Sequence, residues 1–453
     1  MVSDCLPQGL AQSDSPLLDR YGVTRESSEP PAKGMRRFLR TLGPGLITGA
    51  ADDDPSGIGT HSQVGAQFGY GLSWTFVLSF PLMVAIQQVA AEIGRVTGAG
   101  IARNLRLHYP RPVLWAMVLL LLVANVINLG ADLAAMGEVL AMVVGGNGAV
   151  YTLLFGILCV VLEVVLSYPR YASILKWTTL SLFTYLGVVL VAHVPWGQAF
   201  RSLVVPEVQL NLAYATAFVA ILGTTISPYL FFWQAGQEIE ELRRHHTKPL
   251  FRTASGAGAE LKRIRVDTLT GMAFSTLISL AIVFATAATL NASGIHDIET
   301  SSQAAEALRP IAGPYAFALF ALGIIGTGLL AVPVLAGSAA YAVSEMAGYP
   351  GSLDARPLSA RLFYATIATT TLAGAALSYV GIDPAKALYW SAVVNGVLAG
   401  PLMVVMMLIV TNPRAMGKVQ VSKNQQLFGW AATVVMIFAS ALFLGATLFG
   451  GDG

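Results

Sequence analysis

An apolar stretch at residues 42–66 is interrupted by three consecutive aspartates, at 52–54, and by the sequence Pro55-Ser56-Gly57. A proline removes a backbone donor and disrupts the helix before it, and a glycine permits an unwound backbone. At membrane depth such a break is tolerated only where other protein or a water-filled cavity satisfies the freed carbonyls. Carbonyls beside a carboxylate form a site of hard oxygen ligands, which suits a cation. The segment therefore predicts a cation-binding break in a membrane helix.

A second apolar stretch, 211–238, is interrupted by Gly-Thr-Thr-Ile-Ser-Pro-Tyr at residues 223–229. Its Pro228 corresponds in position to Pro55, because each proline lies in the first helix of one half of the chain. Ser227-Pro228 alone would be a weak signal, since kinked membrane helices are common. Interrupted segments at matching places in two halves are typical of inverted-repeat transporters that bind their substrate at the midplane. Together the two breaks predict such a transporter.

The composition requires a membrane protein around these breaks. The chain has 453 residues, of which 55% are hydrophobic and 11% charged, with a mean hydropathy of +0.64. Soluble domains carry about 25% charged residues. The net charge of +2 does not indicate a nucleic-acid partner, and two cysteines do not suggest a disulfide framework. Residues 1–40 are polar and lack an apolar run, so they are interpreted as a disordered cytoplasmic tail.

The hydropathy pattern predicts an all-α integral membrane protein with about eleven transmembrane helices. These spans are 42–66, 71–94, 112–143, 148–168, 171–194, 211–238, 266–290, 313–345, 358–380, 386–411 and 425–449. With the N-terminus in the cytoplasm, all Lys and Arg residues except Arg201, Arg309 and Lys386 fall in cytoplasmic segments. This agreement with the positive-inside rule predicts a multi-pass protein of the inner (plasma) membrane with its C-terminus outside.

The sequence around the breaks resembles the Nramp family of divalent metal transporters. The resemblance lies in Gly-Pro-Gly at 43–45, Asp-Pro-Ser-Gly at 54–57 and Gln-Val-Gly-Ala-Gln-Phe-Gly-Tyr at 63–70. Weaker similarity is found at 131–135 and 223–229, and the whole resemblance covers roughly 36–412. It implies a LeuT-like fold, in which broken helices 1 and 6 open two inverted five-helix repeats. We expect repeats at 41–195 and 210–412 within a core of 41–412, and an extra helix in 413–453.

The resemblance also implies a set of metal ligands. The family binds its ion through Asp, Asn and Met side chains and through one backbone carbonyl from each broken helix. In this sequence Asp54 keeps its place, Gly57 replaces the Asn and Ser227 replaces the Met. The carbonyls would belong to Ala51 and Thr224. Whether Gly57 or Ser227 contacts the ion directly or through water is left open.

The substitutions affect the expected selectivity and driving force. Loss of the thioether removes the soft ligand that favours transition metals, and the remaining oxygen ligands and water suit Mg²⁺ or Mn²⁺. The pattern is similar to that of the Nramp-related magnesium transporters, which lack the methionine and are not proton-coupled. The family's Glu on the third helix is replaced by Ala135, and its histidines on the sixth by Tyr229 and Gln234. Proton coupling is therefore an open question.

Several polar residues are candidates for a secondary role at the site or its entrance. They are Asp52, Asp53, Tyr229, Asp132, Gln234, Asn395 and His61. Asp52 and Asp53 either attract a partly hydrated dication or line a solvated entrance. His61 is either a titratable group or a packed polar residue. Asn125 and Asn128 are interpreted as partners in helix–helix hydrogen bonds.

The predicted function is secondary transport of a divalent metal cation by alternating access. An amino-acid or organic-solute symporter on the same fold is the main alternative, although three aspartates at the break would repel a substrate carboxylate. A non-transporting membrane sensor ranks lower. No enzymatic constellation is found in the spans. We expect no cofactor, no nucleic acid and no obligate protein partner, and interaction only with the metal ion and the lipid bilayer.

Overall fold

The computed structural model describes residues 43–165, 182–209, 211–251, 257–419 and 421–449, and these residues are largely helical. The first half of the described chain contains α1 (Pro44–Asp52), α2 (Pro55–Phe68), α3 (Trp74–Thr97), α4 (Ile101–His108), α5 (Arg111–Val144), α6 (Gly148–Val165), α7 (Phe183–Val191) and α8 (Trp196–Val204). The second half contains α9 (Leu212–Thr225), α10 (Pro228–Arg244), α11 (Ala257–Thr289), α12 (Ser301–Glu306), α13 (Arg309–Ala312), α14 (Ala316–Ala347), α15 (Arg361–Leu377), α16 (Pro384–Val410), α17 (Pro413–Met416) and α18 (Lys423–Phe449). No strand occurs in the described residues, in agreement with the all-α prediction.

Eight helical segments among the described residues are long and apolar enough to cross a membrane. Three predicted spans are not among them, each for a specific reason. The span 42–66 is divided into α1 and α2, and α15 has 17 residues. The span 171–194 lies largely outside the described residues, which include its later part as α7. The polytopic architecture with two broken helices is confirmed.

Short helices connect some of the spans. In α4, Ile101 and Leu105 are buried, whereas Arg103 and Arg106 are exposed. Ile101 and Leu105, four residues apart, therefore lie on the same buried face of α4. The short helix α12 begins with a capping box, in which Thr300 and Gln303 satisfy each other's backbone amides. Hydropathy alone misses such helices because their apolar runs are too short to span a bilayer.

Small residues bring both broken helices close to their neighbours. A side chain at Gly49 in α1 would collide with the backbone of Gly271 in α11. In the same way, a side chain at Gly223 in α9 would overlap the backbone at Ala392 and Gly396 in α16. Membrane helices use such residues for close backbone approach. These contacts fix the position of each break relative to α11 and α16.

The C-terminal helix α18 packs on the core rather than standing apart from it. Ser440 Oγ in α18 donates a hydrogen bond to the carbonyl oxygen of Gly396 in α16, at 3.2 Å. A side chain at Gly429 in α18 would approach the Met407 sulfur to 2.6 Å. Helix α18 is therefore docked against α16, the helix that also contacts α9.

Candidate cation-binding site

The first break consists of two residues between α1 and α2. Asp53 has φ −83° and ψ 50°, Asp54 is extended with φ −70° and ψ 169°, and Pro55 begins α2. Asp54 Oδ1 accepts a hydrogen bond from the backbone N–H of Gly57 at 2.6 Å. Asp54 is therefore the N-cap of α2, and proline is favoured at the position that follows a cap. The cap holds the Asp54 side chain at the break.

The second break is built in a similar way. Ile226 has φ −118° and ψ 61°, Ser227 has φ −77° and ψ 128°, and Pro228 begins α10. Ser227 Oγ lies 3.0 Å from the Gly223 carbonyl oxygen and 2.8 Å from the Thr224 carbonyl oxygen. Carbonyls at the end of a helix lack partners within it. The Ser227 hydroxyl thus donates to its own helix, and its lone pairs are the part left for a ligand.

Asp54 is surrounded by hydrogen-bond donors from three helices, although its side chain is only 3% exposed. Its Oδ2 accepts from Asn128 Nδ2 at 3.1 Å and from the Tyr229 hydroxyl at 3.2 Å. The same Tyr229 hydroxyl lies 3.2 Å from the Ala51 carbonyl oxygen. The structure thereby brings together Asp54 and Ala51, two of the predicted ligands, and links both to α10 through Tyr229.

Oxygen atoms converge on the face of Gly57, where the sequence lacks a side chain. A methyl group there would lie 3.2 Å from the Asp52 carbonyl oxygen, 3.2 Å from Thr224 Oγ1 and 3.3 Å from Asp54 Oδ1. The group of Thr224 that faces this space is its hydroxyl, and the Thr224 carbonyl accepts a hydrogen bond from Ser227. A carbonyl, a hydroxyl and a carboxylate are hard ligands of the kind that Mg²⁺ and Mn²⁺ prefer.

Helix α5 contributes a second carboxylate and an amide to the same region. Asp132 Oδ1 accepts from the Ser56 N–H at 3.1 Å, and Asp132 Oδ2 lies 3.4 Å from Asn128 Nδ2. Asn128 Oδ1 in turn accepts from Asn395 Nδ2 in α16 at 3.2 Å. The sequence analysis expected only a helix–helix role for Asn128. Its position four residues before Asp132 was the available signal, since that spacing places both on one helix face.

The other two aspartates of the first break turn towards α11. Ser275 Oγ lies 2.6 Å from Asp52 Oδ2 and 3.3 Å from Asp53 Oδ1. Asp52 is 4% and Asp53 is 3% exposed, so neither lines a solvated entrance in this structure. Asp52 Oδ1 and Asp53 Oδ2 have no hydrogen-bond partner among the described residues. This pair lies beside the Asp54 site and is held by a different helix.

Two further candidates lie apart from the Asp54 hydrogen bonds. The His61 ring packs against that of Phe76, with centroids 5.3 Å apart. Gln234 Oε1 accepts a hydrogen bond from the Thr48 hydroxyl. No hydrogen bond found in the described part of the chain joins His61 or Gln234 to Asp54. No group of three His, Cys, Asp or Glu side chains within the described residues could hold a metal ion. A cation here would therefore need carbonyl, hydroxyl or amide oxygens in addition to Asp54.

A cavity of about 690 Å³ leads towards the site from the side on which α2 ends. Its wall includes Gln63, Asp297 and Lys386, and it reaches Gly59 in α2 and Leu388 in α16. Next to the end of the cavity, Ser56 Oγ lies 2.9 Å from the Leu388 carbonyl oxygen and 2.8 Å from Ser391 Oγ. These contacts join α2 to α16 between the cavity and Asp54.

The opposite side, where α1 begins, is closed by ion pairs. Arg263 in α11 lies 2.7 Å from Glu238 in α10 and 3.2 Å from Glu260, and Arg95 in α3 lies 2.7 Å from Glu260. Asp267 accepts from three backbone amides at the start of α1, those of residues 43, 45 and 46. The cavity therefore lies on one side of the enclosed Asp54 site, and the ion pairs lie on the other.

The chain matches known proteins along nearly its whole length. The model of the family described as natural resistance-associated macrophage protein-like (Nramp) matches residues 45–446. A protein from Deinococcus radiodurans named divalent metal cation transporter MntH is 26% identical and is matched over 99% of both chains. A Burkholderia ambifaria protein of the same name is 25% identical, over 94% of this chain and 93% of its own.

Among solved structures, a manganese transporter of Eremococcus coleocola superposes with a TM-score of 0.72. The match covers 94% of this chain and 90% of that one, at 15% sequence identity. Structures of two variants of the same transporter match with TM-scores of 0.71 and 0.72. At this level of identity the likeness establishes the fold, and it confirms the architecture expected from the resemblance.

Proposed function

Because the chain belongs to the Nramp family, we propose that it is a secondary transporter that moves a divalent metal cation across the membrane by alternating access. The observation that carries the proposal is the position of Asp54. Its carboxylate lies in a break between two half-helices, next to the Ala51 carbonyl and the Thr224 hydroxyl. Unwound backbone and a carboxylate at such a break are the usual means of binding a cation at membrane depth.

The proposed ligands are the Asp54 carboxylate, the Ala51 carbonyl and Thr224, with Ser227 and the open face of Gly57 completing the site. Each contributes oxygen or leaves space for water. An oxygen-only site accepts Mg²⁺ and Mn²⁺, whereas a soft ligand would favour softer transition metals. The names of the relatives support transport of a divalent metal, and that of the solved neighbour supports Mn²⁺. The ion is the substrate, and no cofactor is proposed.

Alternating access requires two states that expose the site to opposite sides in turn. The cavity ends at Leu388 on one side and the ion pairs of Arg263 lie on the other, as expected of a state that is more open on one side while Asp54 itself is enclosed. We assign the open side to the exterior because the predicted topology places the start of α1 in the cytoplasm. The first and second breaks would move relative to α5 and α16 during the cycle.

The remaining organisation is proposed on the same basis. Residues 1–40 would form a cytoplasmic tail, 41–195 and 210–412 the two inverted repeats, and 413–453 the extra helix. The protein would lie in the plasma membrane with its C-terminus outside. We propose no enzymatic activity. The organic-solute alternative is disfavoured because a substrate carboxylate would meet Asp54 and Asp132 beside the half-helix ends.

The test is Mn²⁺ influx into proteoliposomes that contain the purified full chain, followed by quenching of an enclosed fluorophore. We expect saturable influx that Mg²⁺ in millimolar excess inhibits, and loss of influx in Asp54→Asn. Asp354→Asn is the matched control, because Asp354 is an exposed carboxylate paired with Arg244 far along the chain from the breaks. Full activity of Asp54→Asn would refute the assignment of the site. Influx that is indifferent to Mg²⁺ would refute the hard-ligand interpretation.

A further inference from the structure

The amide side chains of Asn128 and Asn395 form a hydrogen-bonded pair that ends on Asp54. We propose that Asn128 is a metal ligand, and that its amide reverses when the ion binds so that Oδ1 replaces Nδ2 next to Asp54. This inference rests on the proposed function of the Asp54 site. Asn128 belongs to α5, outside both broken helices, and the comparison with the family's motifs assigns it no such role.

The orientation seen in the structure is the one expected for a site without a cation. Asn128 Nδ2 lies 3.1 Å from Asp54 Oδ2 and 3.4 Å from Asp132 Oδ2, so one NH₂ group bridges two buried carboxylates. The partial positive charge of the amide hydrogens stabilises negative charge on either carboxylate. A cation at Asp54 Oδ2 would replace that charge and would repel the same hydrogens. The amide nitrogen and a bound ion are thus alternatives at one position.

The amide of Asn128 has the means to adapt without moving its helix. The oxygen and the nitrogen of a carboxamide are nearly equal in size, and one accepts where the other donates. Rotation about the last side-chain bond would turn Oδ1 towards the ion. The terminal torsion of asparagine is broad, so this rotation meets no steep rotamer barrier. The oxygen would add a neutral, hard ligand to those of Asp54 and Ala51.

The partner residue Asn395 permits this reversal. Its Nδ2 donates to Asn128 Oδ1 at 3.2 Å, whereas its own Oδ1 is buried without a hydrogen-bond partner among the described residues. Asn395 is 2% exposed. If both amides reverse together, Asn128 Nδ2 donates to Asn395 Oδ1 and the bond between them is kept. The reversal breaks no hydrogen bond at Asn395 Oδ1, because that atom has no partner among the described residues.

A neighbouring asparagine shows the contrast. Asn125, almost one helical turn earlier in α5, donates from Nδ2 to the Leu335 carbonyl oxygen at 2.9 Å and to Ser338 Oγ at 2.7 Å. Reversal there would turn an oxygen towards a carbonyl, which has no hydrogen to offer. Asn125 is therefore fixed in one orientation as a link between α5 and α14. Of the two asparagines, Asn128 is the one that faces a possible ion and can reverse.

The experiment measures Mn²⁺ binding by calorimetry on the purified full chain and three variants. Asn128→Leu should bind Mn²⁺ about 10–100-fold more weakly, as expected for loss of a group that contacts or orients at a metal site. Asn128→Asp should bind at least as tightly as the wild type, since it offers oxygen at the same position without reversal. The control Asn125→Leu should lose thermal stability but keep its Mn²⁺ affinity within about twofold.

A second measurement reports the amide directly. Infrared difference spectra with and without Mn²⁺, on protein labelled with ¹³C at the asparagine side-chain carbonyl, should show a shifted band that is missing in Asn128→Asp. This readout and the Asp variant decide the matter if Asn128→Leu does not fold. The proposal is overturned if Asn128→Asp loses binding, since the N–H would then be the required group, or if wild-type and Asn128→Asp difference spectra agree. Absence of Mn²⁺ binding by the wild-type protein would instead refute the proposed function, and this inference with it.

Discussion

The Tyr229 hydroxyl occupies the position between two proposed ligands, so its removal tests how an ion enters the site. It lies 3.2 Å from Asp54 Oδ2 and 3.2 Å from the Ala51 carbonyl oxygen. A phenol has one hydrogen and can donate it fully to one acceptor at a time. An ion that binds both oxygens must displace that hydrogen. We therefore expect Tyr229→Phe to bind Mn²⁺ more tightly than the wild type.

The size of the effect follows from the hydrogen bond that is lost. Hydrogen bonds to charged groups contribute about 1.5–3 kcal/mol. The distance of 3.2 Å is long for a hydroxyl donor, and the hydrogen is shared with the Ala51 carbonyl, so the lower end of this range applies. A difference of about 1.4 kcal/mol changes a dissociation constant tenfold. Tyr229→Phe should thus bind Mn²⁺ about tenfold more tightly, and the ion-free protein should be less stable by a similar free energy.

The assay is thermal unfolding of the purified protein over a range of Mn²⁺ concentrations, together with influx. A ligand that binds only the folded state raises its stability with concentration, so a tighter site shows the rise at lower Mn²⁺. Influx should saturate at lower Mn²⁺ with a reduced maximal rate, because release is slower. Tyr364→Phe is the control, since its hydroxyl donates to the carbonyls of Leu353 and Ala355. Mn²⁺ binding weakened tenfold in Tyr229→Phe would refute the reasoning and make the phenol oxygen a ligand.

Three further variants test other parts of the structure. Ser227→Met should raise the preference for Cd²⁺ over Mg²⁺ in competition influx by about tenfold, since a thioether ligand that favours Cd²⁺ by about 1.4 kcal/mol is enough for that change. An unchanged ratio of Cd²⁺ to Mg²⁺ influx would contradict the interpretation that the missing thioether sets the selectivity. Arg263→Met should lower the free energy of unfolding by about 3–5 kcal/mol, because it leaves the fully buried Glu238 unpaired. The double variant Arg263→Met/Glu238→Gln should recover most of that free energy, and equal stability of the single variant and the wild type would contradict the prediction. His61→Phe should keep Mn²⁺ influx within about twofold of the wild-type rate at every pH tested, because the His61 ring packs on Phe76. A tenfold loss of influx would assign His61 a functional role.

The breaks could be predicted from sequence because their causes are local. Pro55 and Pro228 each begin a new helix wherever the rest of the chain folds, and Asp54 is a favoured cap before Pro55. The hydrogen bond from Ser227 to carbonyls three and four residues earlier is also local, and serine in a helix commonly makes it. The carbonyls of Gly223 and Thr224 therefore compete with an ion for Ser227, and the ligand set expected from the sequence does not include this competition.

The role of Asn128 could not be predicted in the same way. Helix α5 is strongly apolar, and although Asn128 and Asp132 share one of its faces, the sequence does not show that this face turns towards the break. That orientation depends on packing against α14 and α16, which only the tertiary structure supplies. The turn of Asp52 and Asp53 towards Ser275 has the same origin, since α1 and α11 meet through Gly49 and Gly271. Such contacts join residues more than 200 positions apart.

The hydrogen bonds that stabilise Asp54 without an ion are also restraints between moving parts. Tyr229 ties the first break to α10, and Asn128 ties it to α5. A ligand shifts a conformational equilibrium only through its different affinity for the two states. An ion at Asp54 would remove the restraint through Tyr229, and it would replace the direct hydrogen bond to α5 by a contact through the metal to Asn128 Oδ1. Under the proposed function, occupancy of the site and freedom of the first break to move would therefore be coupled through one carboxylate, and variants of Tyr229 and Asn128 should alter transport rate as well as affinity.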